Sequence, residues 1–171
     1  VEKWLKKLAK KLGVSEIRFR DTPLTNFFGK WQKISYAELI EKHSGRKLKE
    51  LRDEEIDEVF KKQVRPNIIE PTFVINHPKA VSPLAKSSET KPKLTERFQL
   101  VVAGTELVNG FSELNDPIDQ RERMEEEEGR FRAGDPEASR MDEDFLEALE
   151  YGMPPAAGIG IGIDRLAALF T

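Results

Sequence analysis

Leu94–Leu114 reads LTERFQLVVAGTELVNGFSEL, and this stretch decides the fold class. Leu94–Val102 and Thr105–Leu114 are two strand-like runs, and Ala103-Gly104 between them is a tight turn. Strands joined that closely run antiparallel. Upstream, Pro71 to Ile75 reads as a further short strand, and residues 77–93, rich in proline and lysine, read as a loop and as the most mobile segment. Downstream, Asp116-Pro117 is a strong helix start, a capping carboxylate followed by proline at the first helical position. That helix is expected to reach about Ala133, with its Glu125–Glu128 run as a solvated face. Another helix is expected from about Asp142 to Tyr151, stopped by Gly152.

The N-terminal part is mostly helical in pattern. Trp4, Leu5, Leu8 and Leu12 recur at helical spacing before Gly13, and residues 14–34 look loop-like. Ser35-Tyr36-Ala37-Glu38 has capping-box spacing for a helix ending near Gly45. Residues 51–64 form another helix, with Leu51, Ile56, Val59 and Phe60 on its buried face and Pro66 as its stop. The expected fold is α+β, an antiparallel β-sheet flanked by helices in one domain. Residues 1–69 supply a mostly helical segment; residues 70–171 supply the sheet strands and further helices.

Composition narrows the function. The 171 residues contain no cysteine, which removes disulfides, thiolate metal sites and a cysteine nucleophile. A net charge of −3 gives no global field that draws in nucleic acid. No apolar stretch approaches the roughly 18 residues of a membrane helix, and no signal peptide is visible, so a cytoplasmic location without membrane partners is the default. The chain starts at Val1 inside an amphipathic pattern and stops at Thr171 just after an apolar run, so both ends read as cuts in something larger.

Two stretches carry chemistry. Gly158, Gly160 and Gly162 alternate in Gly158–Arg165, so in a strand they share a face without side chains. Ile159, Ile161 and Ile163 are then expected in the core, with Asp164 capping a helix and Arg165 in its first turn. A bare strip beside a guanidinium suits a nucleotide; close packing of the strip against a helix, with an exposed arginine, is the competing reading. The run lacks the lysine and the spacing of a phosphate-binding P-loop. Asn109, Phe111 and Glu113 also alternate and can share a face, although Asn109-Gly110 between apolar residues is a strong hairpin-turn signal and by itself favours a turn. The two histidines, His43 and His77, form no metal-ligand cluster. His77 and Lys86 flank the 77–93 loop and read as solvent-exposed, with contact to a tRNA end as the alternative.

Gly158–Arg165 resembles motif 3 of the class II aminoacyl-tRNA synthetases. Leu94-Thr95-Glu96-Arg97-Phe98, Asn109–Pro117, Ala133-Gly134-Asp135 and Glu147–Pro155 are similar to the lysine-specific branch of that family. The match is dense over 70–171 and less distinctive before it. The resemblance implies an ATP-dependent lysine–tRNA ligase that forms lysyl-adenylate and passes lysine to tRNA(Lys), as a homodimer. It makes Arg165 the catalytic arginine on ATP. It places Glu106, Leu107, Gly158, Gly160, Gly162, Ile163, Asp164 and Arg165 at ATP, and Asn109, Phe111 and Glu113 at lysine. Glu113 would answer the side-chain ammonium and Asn109 the backbone end of the amino acid. A buried ammonium needs such a carboxylate, and an uncharged analogue would leave it unpaired.

The same resemblance gives Glu106 to a Mg²⁺ that bridges ATP phosphates, with a second carboxylate seven residues earlier; here that position is Gln99, a neutral amide. Glu106 and Asn109 have opposite parity, so joint service at one site predicts a β-bulge between them. Motifs 1 and 2 of the family have no match in these residues, and the chain alone is expected to be a poor enzyme. The alternatives are a paralogue that lysylates an elongation factor and a non-catalytic interaction module.

Overall fold

The computed structural model describes residues 1–19, 22–135 and 138–171. The chain opens with α1 (Glu2–Lys11), followed by the antiparallel pair β1 (Ile17–Phe19) and β2 (Thr22–Leu24), and then β3 (Gln32–Ser35). The loop expected over 14–34 therefore holds three short strands. Runs of three or four residues carry too little alternation to show as strands in sequence. In α1 the buried residues are Leu5 and Ala9, whereas Trp4 and Leu12 are 48% and 58% exposed.

Next comes α2 (Tyr36–Ser44), with the expected capping box: Ser35 Oγ accepts from the Glu38 N–H, and the Ser35 N–H donates to Glu38 Oε2. Gly45 closes it in the left-handed conformation. After α3 (Asp53–Val59) the chain continues through a π-helical turn, Phe60–Val64, and a 3-10 turn, Arg65–Asn67, containing Pro66. Leu51, Ile56, Val59 and Phe60 are all buried, as the pattern required.

The sheet is completed by β4 (Thr72–Pro78), β5 (Leu94–Val102) and β6 (Thr105–Ser112), then α4 (Pro117–Arg132), α5 (Glu143–Glu150), β7 (Ala157–Ile161) and α6 (Ile163–Phe170). Strand order is β3-β4-β5-β6-β7, so β7 is an edge. Every neighbouring pair is antiparallel except β3 and β4, which are parallel because α2 and α3 form the crossover between them. Ala103 and Gly104 both have positive φ, 46° and 72°, as a two-residue hairpin turn of the favoured twist requires. Their N–H groups donate to Ile69 and Ile68 carbonyls, and a β-carbon on Gly104 would press on the Pro66 backbone at 3.2 Å.

The sheet separates two cores. On one face Phe98, Leu100, Val102, Leu107, Val108 and Ile161 pack with α1, β1, β2 and α6, around Phe27 and Trp31. On the other, Ile34, Val74 and Val101 pack under α2 and α3. The helices of this second layer cover β3 and β4 and stop short of β6 and β7. The same face therefore stays accessible at the far side of the sheet.

The 77–93 loop, expected to be mobile, is pinned. The buried Arg123 of α4 donates to the Ser82 and Ala85 carbonyls at 3.1 and 2.8 Å and to Ser87 Oγ at 2.9 Å. Asp119 accepts from Arg123 and from Lys79, each at 2.6 Å at its nearest. Asp116 caps α4 by accepting from the Ile118 N–H at 2.9 Å, and Glu127 and Glu128 pair with Arg130 and Arg132.

Candidate active site

Two irregularities in the ladder decide which side chains reach the open face. In the β5–β6 pair, Leu100 faces Val108 but Val101 faces Glu106, so Leu107 is an extra residue. Leu107 and Val108 both enter the core, and Glu106 and Asn109 both turn to the open face. This is the bulge that parity demanded. It also corrects the expectation for Leu107: its side chain is buried in the core, and its carbonyl accepts the Gly162 N–H at 3.0 Å.

The second irregularity lies in β4 between Ile75 and His77, where Asn76 has φ 56°. Asparagine is among the few residues that adopt this conformation readily. It swings His77 onto the open face, opposite Thr95. His77 is 1% exposed, not solvated as expected, and its ring lies 5.2 Å from that of Tyr36. Burial holds it neutral, with its pKa down to about 4.

The open face carries Arg97 and Gln99 from β5, and Glu106, Asn109 and Phe111 from β6. Asn109-Gly110 is thus strand, not turn. Arg97 Nε donates to Asn109 Oδ1 at 3.0 Å, and its Nη1 donates to the Val81 carbonyl at 2.5 Å and to Ser82 Oγ at 3.1 Å. Arginine has donors only, so Asn109 must offer it oxygen and present its NH₂ outward. Gln99 Nε2 donates to Glu106 Oε2. A cavity of about 200 Å³ borders this pair, with Tyr36, Asp57, Arg65 and His77 in its wall. A second, of about 170 Å³, lies across Arg97 between residues 82–85 and Asn109 and Phe111. Tyr36, stacked on Phe60 at 4.3 Å, has its hydroxyl pKa raised by burial and by Asp57.

On β7, Gly158 pairs with Phe111 and Gly160 with Asn109. The Glu113 carboxylate occupies the space a side chain on Gly158 would need. Among the described residues it has no hydrogen-bond or ion-pair partner, and it is half-buried. A β-carbon on Gly160 would meet only the Asn109 carbonyl, at 3.9 Å. Among the described residues no helix packs on Gly160, so the reading of the strip as a helix-packing surface does not hold at this glycine.

The rest of the run is corrected in part. Gly162 lies beyond β7 as the N-cap of α6, so Asp164 does not cap; it sits exposed in the first turn. Only Ile161 packs on the core. Ile159 is 54% exposed because β7 is an edge with nothing over its outer half, and Ile163 is 67% exposed in an apolar groove with Leu8, Leu12 and Phe170. Neither Ile163 nor Leu107 brings its side chain to the glycine face. Arg165 Nη1 donates to the Glu106 carbonyl at 2.5 Å, which ties α6 to the bulge. Around the face, Tyr36 and Arg97 carried no site role in the sequence reading, and His77 was expected in solvent, with contact to a tRNA end as the alternative. The only sequence signal for His77 was the asparagine before it.

Among the described residues no group of three or more His, Asp or Glu side chains could hold a metal. Among the described strand residues of this face Glu106 alone offers a carboxylate, beside Gln99; Asp57 of α3 lines the same cavity and pairs with Lys61 at 2.7 Å. No helix among them is long and apolar enough to cross a membrane.

The chain belongs to the class II tRNA synthetases (D, K and N), whose family model matches residues 1–171. The particular relatives are lysine–tRNA ligases. That of Moorella thermoacetica is 59% identical over 68% of this chain and 24% of its own length. That of Carboxydothermus hydrogenoformans is 45% identical over 95% of this chain and 38% of its own length, and that of Porphyromonas gingivalis 41% over 94% and 31%. The chain thus spans between a quarter and two fifths of the curated relatives it matches.

Proposed function

We propose that the chain forms the lysine pocket and part of the ATP face of a lysine–tRNA ligase. The observation that carries this is Glu113, a half-buried carboxylate without a partner among the described residues, set beside the glycine face of β7. A carboxylate kept partly from water and unpaired is suited to a cation that arrives with the ligand. Lysine's ammonium fits it, and the outward NH₂ of Asn109 donates to the lysine carboxylate at the other end. Phe111 lies between them in the strand and supplies apolar surface for the methylenes.

Gly158 and Gly160 leave room for the nucleotide base, and Arg165 offers its remaining donors to ATP. The lysine carboxylate oxygen attacks the α-phosphorus, pyrophosphate leaves, and lysyl-adenylate forms. A hydroxyl at the tRNA(Lys) 3′ end then attacks the acyl carbon and AMP leaves. The protein's contribution is position and charge stabilisation. Glu106 would hold a Mg²⁺, which supplies charge neutralisation on the phosphates when bound. A homodimer working in the cytoplasm belongs to the same reading. The chain by itself should turn over poorly, because no residue here matches the motif 2 arginine of the family.

Titration with lysine, ornithine and arginine tests the pocket. The expected order has lysine first, and Glu113→Gln should weaken lysine at least tenfold. Equal lysine affinity in the two proteins would remove Glu113 from this role. ATP–pyrophosphate exchange by the chain alone at the rate of a complete ligase would contradict the division of the ATP site.

A further inference from the structure

Four groups form one hydrogen-bonded line across β4, β5 and β6. The Arg97 carbonyl faces His77 Nδ1 at 3.3 Å, His77 Nε2 faces Gln99 Oε1 at 3.1 Å, and Gln99 Nε2 donates to Glu106 Oε2. His77 and Gln99 are 1% and 9% exposed, so loss of either contact would leave a buried polar group short of a partner.

A neutral imidazole has one N–H, and here it faces oxygen on both sides. The far end of the line settles which nitrogen carries the proton. The Glu106 carboxylate only accepts, so Gln99 must offer it NH₂. The amide oxygen then faces His77, and Nε2 must bear the hydrogen. Reversing the amide would set its oxygen against the carboxylate and require the other tautomer, with Nδ1–H on the Arg97 carbonyl. Tautomer and amide orientation are therefore a single choice.

We propose that His77 is a positioning residue: its Nε2–H holds the oxygen of Gln99, so Gln99 serves as a donor to Glu106 and not as a cation ligand. One Glu106 oxygen is then fixed by the amide and the other is left to face the phosphate side. The β5–β6 pair thus offers a divalent ion a single carboxylate, where the resemblance leads one to expect two. This consequence rests on the ATP reading above; the tautomer does not.

Nitrogen-15 long-range correlation spectra of the chain, without ligands at neutral pH, test it directly. The expected pattern for His77 is protonated Nε2 and unprotonated Nδ1; the reverse pattern overturns the proposal. Two variants add a readout on Gln99. In His77→Phe its amide proton bonded to Glu106 should move upfield toward a free carboxamide, and His77→Gln, which keeps a donor in that place, should restore it. Unchanged Gln99 amide resonances in His77→Phe also overturn the proposal. None of these measurements involves lysine or turnover, so failure of the positioning role and failure of the ligase reading are distinguishable.

Discussion

Glu113 and Gly158 share one volume: the carboxylate of the first fills the place where the second would carry its β-carbon. The obstacle is the far end of a flexible side chain, so the carboxylate can be pushed aside without disturbing the backbone. Gly158→Ala should leave the melting temperature within about 2 °C of wild type, since surface changes of this kind usually stay within about 0.5 kcal/mol. Lysine affinity should fall by about tenfold or more as Glu113 leaves its position. Calorimetric titration beside a melting curve separates the two effects, and unaltered lysine affinity would count against the pocket.

Gly160 tests the nucleotide face without touching Glu113. A side chain there meets only the Asn109 carbonyl, at 3.9 Å, so Gly160→Val is free to form, and valine suits a strand better than glycine. The protein should be as stable as wild type or slightly more so, with ATP affinity reduced by about tenfold. Retained ATP affinity would return this glycine to a purely structural role.

Gly110 differs from both because its neighbours cannot yield. A β-carbon would come within 2.8 Å of the Phe98 ring and 3.1 Å of the Gly158 carbonyl, at the junction of β6 with both its partners. Gly110→Ala should destabilise the fold by about 1–3 kcal/mol, the usual cost of overpacking. Chemical denaturation checks this, and a loss below about 0.5 kcal/mol would show that the sheet can open there.

The Asp119 clasp makes stability depend on acid. Hydrogen bonding to Arg123, and then to Lys79, lowers its pKa from 3.8 to about 2 in the folded chain. A depressed carboxylate stabilises the fold above its unfolded value and loses that contribution as pH falls through the folded one. Stability should therefore drop between about pH 4 and pH 2, and Asp119→Asn should flatten that part of the profile. The carboxylate keeps 22% of its side-chain surface in contact with water, so screening keeps the change modest. Denaturation midpoints across this window provide the check, and identical slopes for both proteins would exclude Asp119 as their source.

Short-range chemistry wrote much of this protein into its sequence. The capping box at Ser35 and Glu38, the Asp116-Pro117 start of α4 and the strands around Ala103-Gly104 depend on residues within a few positions of one another, and each formed as read. Parity, together with the joint role that the resemblance gives Glu106 and Asn109, predicted the bulge between them, because a regular strand cannot turn both to one side. What stayed hidden depends on partners distant in the chain. The strands within 14–34 are too short to carry a pattern. Ile159 and Ile163 looked like core until β7 proved to be an edge. His77 looked like a loop residue until Asn76 turned it beneath α2, beside Gln99 from a neighbouring strand.

The glycine run and the Asn109–Glu113 tract carried the resemblance to the family, and alternation, a property of the local backbone, showed which of their residues share a face. The tertiary structure decided which groups meet one another on that face. Only the pairing of β4, β5 and β6 sets Arg97 on Asn109 and His77 and Gln99 behind Glu106, and only the exposed edge at β7 leaves Gly160 uncovered. Hydrogen-bond direction and burial are fixed by groups far apart in sequence, which no local pattern contains.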